Sequence, residues 1–423
     1  MATVDPNNNP LSAPASSPVT RPGLAYTLIQ FLSSLLAVLV SGAIGLVLFL
    51  FSMGEGLPSG LQILVLAVTA VWVGFLVLPS LVFSFLKLTN KPVREDFLSR
   101  RGLRLAGLLI VLFPFAMLLG NWALQQNGIG SLPFPIFHIL ATSVPVIWLI
   151  YLAVRGLPMG SPQRAWGVFS SGLLLGPMLI LTLETFALLG VFLFVVVVVV
   201  SQPQLMDELS SLARLLETAP QNPPTPEALL ELFGPYVTQP LVIWGTLAFA
   251  ALLVPLIEEM LKPIGVWLLA GRRISPSAGF AAGALSGAGY ALFENLLLTA
   301  NSETWATVQI ARMGTSIIHI LTTALVGYAL AIAWQRRRYW QLLGVYLGAV
   351  LLHGAWNALS LLMTFGEIAQ SLNHANRWSS LSNVIPYAMG ALAISSLALL
   401  VWFNFRLRRR EAGKLTPPTD QSP

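Results

Sequence analysis

The chain contains no cysteine, which removes disulfide frameworks, thiolate metal sites and cysteine nucleophiles together. Charge is scarce as well. Only 9% of the 423 residues are Asp, Glu, Lys or Arg, against about a quarter in an ordinary soluble domain. What stands in their place is apolar, at 56% of the chain, and the composition is that of an integral membrane protein.

Apolar runs of the 18 or more residues needed to cross a bilayer core of roughly 30 Å recur along the whole length. Ten are read, near residues 25–51, 60–86, 104–121, 133–154, 165–200, 240–270, 276–299, 305–334, 340–363 and 383–405. They predict an all-α, polytopic membrane protein of about ten transmembrane helices. The fifth run is too long for one upright span and is expected to tilt or to continue out of the bilayer through Val195–Val200. A sheet is excluded for that valine tract, because open strands cannot satisfy their backbone in lipid.

Positively charged loops stay cytoplasmic, so the basic residues orient the spans. Lys87, Lys91, Arg94, Arg100, Arg101 and Arg104 follow the second run, Arg155 and Arg164 the fourth, Arg272 and Arg273 the sixth, Arg336–Arg338 the eighth, and Arg406–Lys414 the tenth. All these ends share one side. The opposite loops hold only Arg214 and Arg377, so both termini are expected to be cytoplasmic and the protein to be multi-pass in the plasma membrane. This bias accounts for the net charge of +6, and no nucleic-acid partner is implied.

Five regions follow. Residues 1–24 are rich in Pro, Ser and Asn and are expected to be a disordered cytoplasmic tail. Residues 25–200 form a five-helix membrane region, and 201–239 an extracytoplasmic insert of two short amphipathic helices, the second capped by Thr225 with Pro226 at its first position. Residues 240–407 form the second membrane domain and 408–423 a basic cytoplasmic tail. No basic segment precedes a short apolar one at the start, so the first run is expected to remain as an anchor.

Ionisable residues divide the runs sharply. The first five contain only His138 and Glu184, whereas runs six to nine contain Glu258, Glu259, Lys262, Glu294, Arg312, His319 and His353. Each unpaired charge at mid-membrane costs about 2.5 to 3.5 kcal/mol. Five would cost roughly 12 to 18 kcal/mol, as much as a whole fold is worth at about 5 to 15 kcal/mol. They must therefore pair, shed charge or face water.

Spacing lets them meet. Glu258 and Lys262 stand at i,i+4 and Glu259 and Lys262 at i,i+3, so the lysine can neutralise one carboxylate while the adjacent pair titrates as a coupled unit. Arg312, Ser316 and His319 line one face of the eighth run, and His353 and Asn357 one face of the ninth. Glu258, His319 and His353 come out at a common depth. Gly279, Gly283 and Gly287 repeat every fourth residue in the seventh run, a pattern of close helix packing that leaves Glu294 and Asn295 to be explained. Trp166, Trp305 and Trp340 read as interfacial anchors, His138 and His374 as bystanders, and Glu184 equally as a hydrogen-bonded carboxyl or a site residue.

At these residues the sequence resembles the PrsW family of membrane-embedded proteases, relatives of the CAAX-protease and bacteriocin-processing superfamily. EEMLK at 258–262, GAGYALFEN at 287–295, the stretch from Arg312 to His319 followed by ILTTALVG, and HGAWN at 353–357 match its four elements in order, each on its own apolar run. Tyr290 stands where Phe is usual.

The resemblance implies hydrolysis of peptide bonds in membrane-associated proteins by a glutamate-activated water, in a catalytic core of four helices. Glu258 or Glu259 would be the base, His319 and His353 would position water or protonate the leaving amine, and Asn357 would donate to the oxyanion. Lys262, Glu294, Asn295 and Arg312 would support them. No cofactor is required by this scheme, and glutamate-only chemistry is placed ahead of zinc because no HExxH element is present. Two His and the Glu residues (Glu258, Glu259, His319, His353) are nevertheless a zinc set. The implied partners are the bilayer and a membrane-anchored protein substrate, with anti-sigma factors the class the resemblance offers. The alternative from another class is an ion- or proton-coupled transporter using the same buried residues, and it is disfavoured because the first half carries no matching polar repeat.

Overall fold

A computed structural model describes residues 23–55, 59–92, 100–126, 128–201, 233–234, 239–297, 304–371 and 383–413. The expected amphipathic helices of 201–239, the tail 1–22 and His374 lie outside or almost wholly outside these segments. Among the described residues the chain is helical and contains no strand.

The helices are α1 (Leu24–Gly54), α2 (Ser59–Leu88), α3 (Arg100–Leu108), α4 (Leu112–Leu124), α5 (Phe134–Val154), α6 (Pro162–Ser170), α7 (Gly176–Val200), α8 (Pro240–Ala248), α9 (Val254–Leu261), α10 (Ile264–Trp267), α11 (Pro276–Leu297), α12 (Trp305–Arg336), α13 (Tyr339–Ser371) and α14 (Ile385–Gly413). Nine stretches among the described residues are long and apolar enough to cross a membrane. The seventh expected run is α11, a 22-residue helix so rich in Gly, Ala and Ser that it falls outside those nine.

The centre of the bundle is the pair α11 and α12. α11 is buried along almost its entire length, and α12 from Gly314 to Ala333 nearly so. The glycines explain the closeness. A Cβ on Gly283 would lie 2.3 Å from the carbonyl oxygen of Thr323, and one on Gly279 would lie 2.5 Å from that of Gly327. With no side chain between them, the two backbones gain van der Waals contact that lipid would otherwise supply. α5 and α6 cover the opposite side of α11, where Gly289 meets the carbonyl of Phe169 and Gly172 that of Ser286.

Two of the expected continuous runs are broken. The fifth is α6 and α7 joined by a π turn at Ser171–Leu175, and the sixth is α8 and α9 joined by another at Phe249–Leu253. A π turn inserts one residue into the helical ladder and is frequent at functional sites. The sixth run then bends again at Pro263, whose ring removes the N–H that would have bonded one turn back. Ser286 of α11 secures this bend by donating to the carbonyl of Lys262 at 2.6 Å and accepting from the Gly265 N–H at 3.3 Å.

A polar knot holds α1, α2 and α6 together inside the apolar bundle. Gln30 donates to Ser80 Oγ and to the Gln163 carbonyl, both at 3.0 Å, while Gln163 donates to Thr27 and Gln30. Trp305 departs from expectation. Instead of anchoring at an interface it is wholly buried, with its indole N–H donating to His138 Nδ1 at 3.1 Å and its ring pressed on Gly120 and Phe134. An indole with a buried hydrogen-bond acceptor no longer needs the headgroup region. Trp340, by contrast, is exposed as an anchor should be.

Gly283→Val forces α11 and α12 apart, because its side chain would meet the backbone of Thr323 and Ala324. The thermal midpoint of the purified protein in detergent should fall markedly, at an overpacking cost of about 1 to 3 kcal/mol. Gly42→Val, at a position with nothing within 4 Å, should leave it nearly unchanged.

Candidate active site

The residues that cannot remain unpaired in lipid converge on one point, and that point is the ammonium of Lys262. Its Nζ lies 2.7 Å from Glu258 Oε2, 2.9 Å from Glu259 Oε1, 2.8 Å from His319 Nδ1 and 3.2 Å from His353 Nδ1. Lys262 and Glu259 are completely buried, and the two histidines are 1% exposed. The lysine thus bridges both carboxylates rather than neutralising one. Its charge also lies 4.8 Å over the ring of Tyr290, which itself packs edge-on to His319 at 5.2 Å.

Each helix delivers its side chain for a local reason. α9 is only eight residues long, preceded by the π turn, with Pro255 in its first turn, and followed by Pro263. Its position is fixed from α13, where Tyr346 donates to the Leu256 carbonyl at 2.7 Å and Asn357 to the Ala250 carbonyl at 2.9 Å. Gly354 lets α13 approach the Ala251 carbonyl, which a Cβ there would meet at 2.2 Å. The carbonyls of Ala250 and Ala251 are ones that the π turn and the ring of Pro255 take out of regular helical bonding. Trp356 of the HGAWN segment locks α13 to α12 by donating to Thr315 Oγ1 at 3.0 Å while its ring lies against Gly314.

A second set of polar groups stands behind His319. Its Nε2 is 2.7 Å from Glu294 Oε2, and the other oxygen of that carboxylate meets the Arg312 guanidinium at 2.8 Å. Arg312 Nε donates to Asn295 Oδ1 at 2.7 Å, Asn295 Nδ2 to Ser316 Oγ at 2.8 Å, and Ser316 Oγ to the Arg312 carbonyl at 2.8 Å. Ammonium nitrogens only donate, so His319 Nδ1 accepts from Lys262 and its Nε2 carries the hydrogen that goes to Glu294. A carboxylate fixing the tautomer of an imidazole in this way is the usual support of a metal-binding or catalytic histidine.

His353 Nδ1 lies 3.0 Å from Glu259 Oε1, and its Nε2 3.8 Å from Glu258 Oε2. The Glu259 carboxylate is therefore held by two partners at one oxygen, while its Oε2 is buried with no hydrogen-bond partner. Glu258 is the less enclosed of the pair, with 8% of its side chain exposed. Exposure rises toward Arg312 at 14% and Glu294 at 33%, so the cluster opens along α11 and α12.

Residues 180–375 match a family model described as a PrsW family intramembrane metalloprotease. This part of the chain is similar to the PrsW family. The match begins within α7 and ends just beyond α13, so it takes in Glu184 and the segment 201–239 as well as the four elements from which the resemblance was read. Nothing matches in the comparison with curated proteins or in that with solved structures.

The PrsW description carries a metal, and the donor chemistry fits one. Glu258, His319 and His353 each offer a ligand atom, all within 4.8 Å of one another. Two imidazole nitrogens and one carboxylate oxygen, with a fourth position open, are a zinc donor set. The support of His319 by Glu294 and the unpartnered Glu259 Oε2 agree with that reading.

All nine residues singled out from the sequence lie in or beside this cluster. Asn357 stands apart from its anticipated oxyanion role in one respect, since its amide is engaged with the Ala250 carbonyl. Ser286, Tyr346 and Trp356 were not singled out. Their work is to hold backbone carbonyls or neighbouring helices, and only the bend at Pro263 and the π turn, invisible in hydropathy, could have called for them. Glu184 lies on α7, which packs against α9, with one carboxylate oxygen buried and unpartnered. His138 is a packing residue remote in sequence and in bonding from the cluster.

Glu294→Gln is expected to leave the fold intact and to lower the turnover of a membrane-anchored test substrate about 10- to 100-fold, the usual cost of losing such a supporting carboxylate. Steady-state kinetics of the variant in detergent check this, with the loss falling on kcat rather than KM.

Proposed function

We propose that this PrsW-like region hydrolyses peptide bonds of membrane-associated proteins with a water activated by Glu258. The observation that carries the reading is the convergence of four sequence elements, from four helices, on one buried point. Such convergence needs tight packing and several uncompensated desolvation costs, which helix association alone does not require. A transporter reading gains nothing comparable, because the charged residues of the cluster all lie between 258 and 353 and bond to one another.

Glu258 is the base because Glu259 is fully buried and already committed to Lys262 and His353. The water oxygen attacks the scissile carbonyl carbon while its proton passes to Glu258 Oε2. Collapse of the tetrahedral intermediate breaks the C–N bond, and the proton reaches the leaving amine through His353, whose Nε2 faces Glu258. Lys262 holds both glutamates in place during this exchange, and the Arg312–Glu294 pair keeps His319 in the tautomer that presents Nδ1 inward. The second amide hydrogen of Asn357, left over from its bond to Ala250, is the donor assigned to the oxyanion.

Glu258, His319 and His353 are the residues that would hold a divalent cation, which when bound acts as a Lewis acid and lowers the pKa of a bound water to about 7. Substrates are drawn from proteins tethered in the same bilayer, with anti-sigma factors the class toward which the resemblance points. The basic ends of the helices support the reading that both termini are cytoplasmic, with the plasma membrane the proposed location.

Purified protein in detergent should cleave a membrane-anchored test substrate, and Glu258→Gln should lower that rate about 10²- to 10⁴-fold with the circular dichroism spectrum unchanged. Glu259→Gln should instead lower thermal stability as well, since removing one partner of a buried ion pair typically costs about 3 to 5 kcal/mol. Cleavage that persists at the wild-type rate in both variants would overturn the assignment. Removal of metal with a strong chelator, followed by zinc, separates the two forms of the chemistry: activity lost and restored marks a metal-dependent water, activity retained a glutamate-only one.

A further inference from the structure

Lys262 sits among the candidate ligand atoms. An ammonium carries three hydrogens, and Glu258 Oε2, Glu259 Oε1 and His319 Nδ1, all within 2.9 Å of its nitrogen, accept them, while His353 Nδ1 lies 3.2 Å away and donates to Glu259. Three of those residues are the ones that could bind a metal. The ammonium therefore stands among the residues that a metal would need, within 3.2 Å of an atom of each. The charge count agrees. With both histidines neutral, Glu258, Glu259 and Glu294 are set against Lys262 and Arg312, which leaves these five groups one negative charge in excess. A divalent cation in place of the ammonium would bring it to neutrality.

We infer that Lys262 is an intramolecular cation that holds the metal position closed, so that the ammonium and a divalent cation occupy it as alternatives. This rests on the protease reading for its importance but not for its test. Without metal the lysine satisfies ligands that would otherwise be bare charges in a membrane, which is why the cluster can fold before any metal arrives. Binding a metal requires Lys262 to leave its fully buried place. The bend at Pro263, directly after it, and the opening of the cluster toward Glu294 give the side chain somewhere to go.

The chain has only four lysines, Lys87, Lys91, Lys262 and Lys414, so the displacement can be read by acetylating the full-length protein in detergent and locating the modified residues by mass spectrometry. Lys262 should be protected in chelator-treated protein and acetylated in zinc-loaded protein, with Lys87 and Lys91 equally labelled in both. In parallel, Lys262→Met should bind zinc at least about tenfold more tightly than wild type in competition with a chromophoric chelator, a change of the size seen when groups around a metal site are altered. Zinc should also raise the thermal midpoint of this variant more than that of wild type. If Lys262→Met does not fold without metal, the labelling of wild type decides alone.

Stoichiometric zinc on wild type with Lys262 still protected overturns the inference, as do equal affinities of the two proteins or zinc binding by neither. The protease reading fails separately. Substrate cleavage by wild type without zinc-dependent exposure of Lys262 sinks the inference and leaves the protease, whereas exposure without cleavage under any metal condition does the reverse.

Discussion

The structure depends on a single ammonium group at membrane depth. Two carboxylates and two imidazoles from three separate helices would repel or strand one another in lipid, and Lys262 is the cation that lets them share a site. A buried pair of this kind is weak evidence of stability gained, since desolvating the ions offsets most of their attraction. It is strong evidence of position, because each partner removed leaves another charge uncompensated. The fold around it can be understood as the machinery that delivers α9, α12 and α13 to one nitrogen atom.

That delivery uses small residues and broken ladders rather than large apolar contacts. In a bilayer, burial of hydrocarbon gives no advantage over lipid, so helices associate through close backbone approach and internal hydrogen bonds. Gly279, Gly283, Gly287 and Gly327 supply the first along α11 and α12. Tyr346, Asn357 and Ser286 supply the second, each capturing a carbonyl of the segment around α9. The N-terminal helices serve the same end. α5 and α6 close the far side of α11, and the knot of Gln30, Ser80 and Gln163 keeps α6 from drifting.

Much of this could be read in the sequence because the membrane makes polarity expensive. Each ionisable residue in an apolar run had to have a reason, and the i,i+3 and i,i+4 spacing of Glu258, Glu259 and Lys262 and the stripe from Arg312 to His319 predicted their pairing before any coordinates. The span count was legible for the same reason. The helix breaks were not, since hydropathy is blind to a π turn, and neither was Trp305, whose burial depends on His138 lying opposite it on another helix. The common depth of Glu258, His319 and His353 was anticipated, but the partner that unites them, Lys262 at the centre instead of at the edge, comes from three-dimensional convergence that no spacing within one helix contains.

The π turn at Phe249–Leu253 has one more consequence. One added residue advances a helix by about 100°, since 3.6 residues complete a turn. α8 and α9 therefore present different azimuths although they continue along one course: the side that α8 offers to lipid is not the side that would follow from the glutamates of α9. A deletion of one residue anywhere between Phe249 and Leu253 would change no charged or catalytic side chain, yet it would swing Glu258 and Glu259 by more than a quarter of a turn. The length of this segment is thus under a constraint of phase, which its polar residues alone do not reveal.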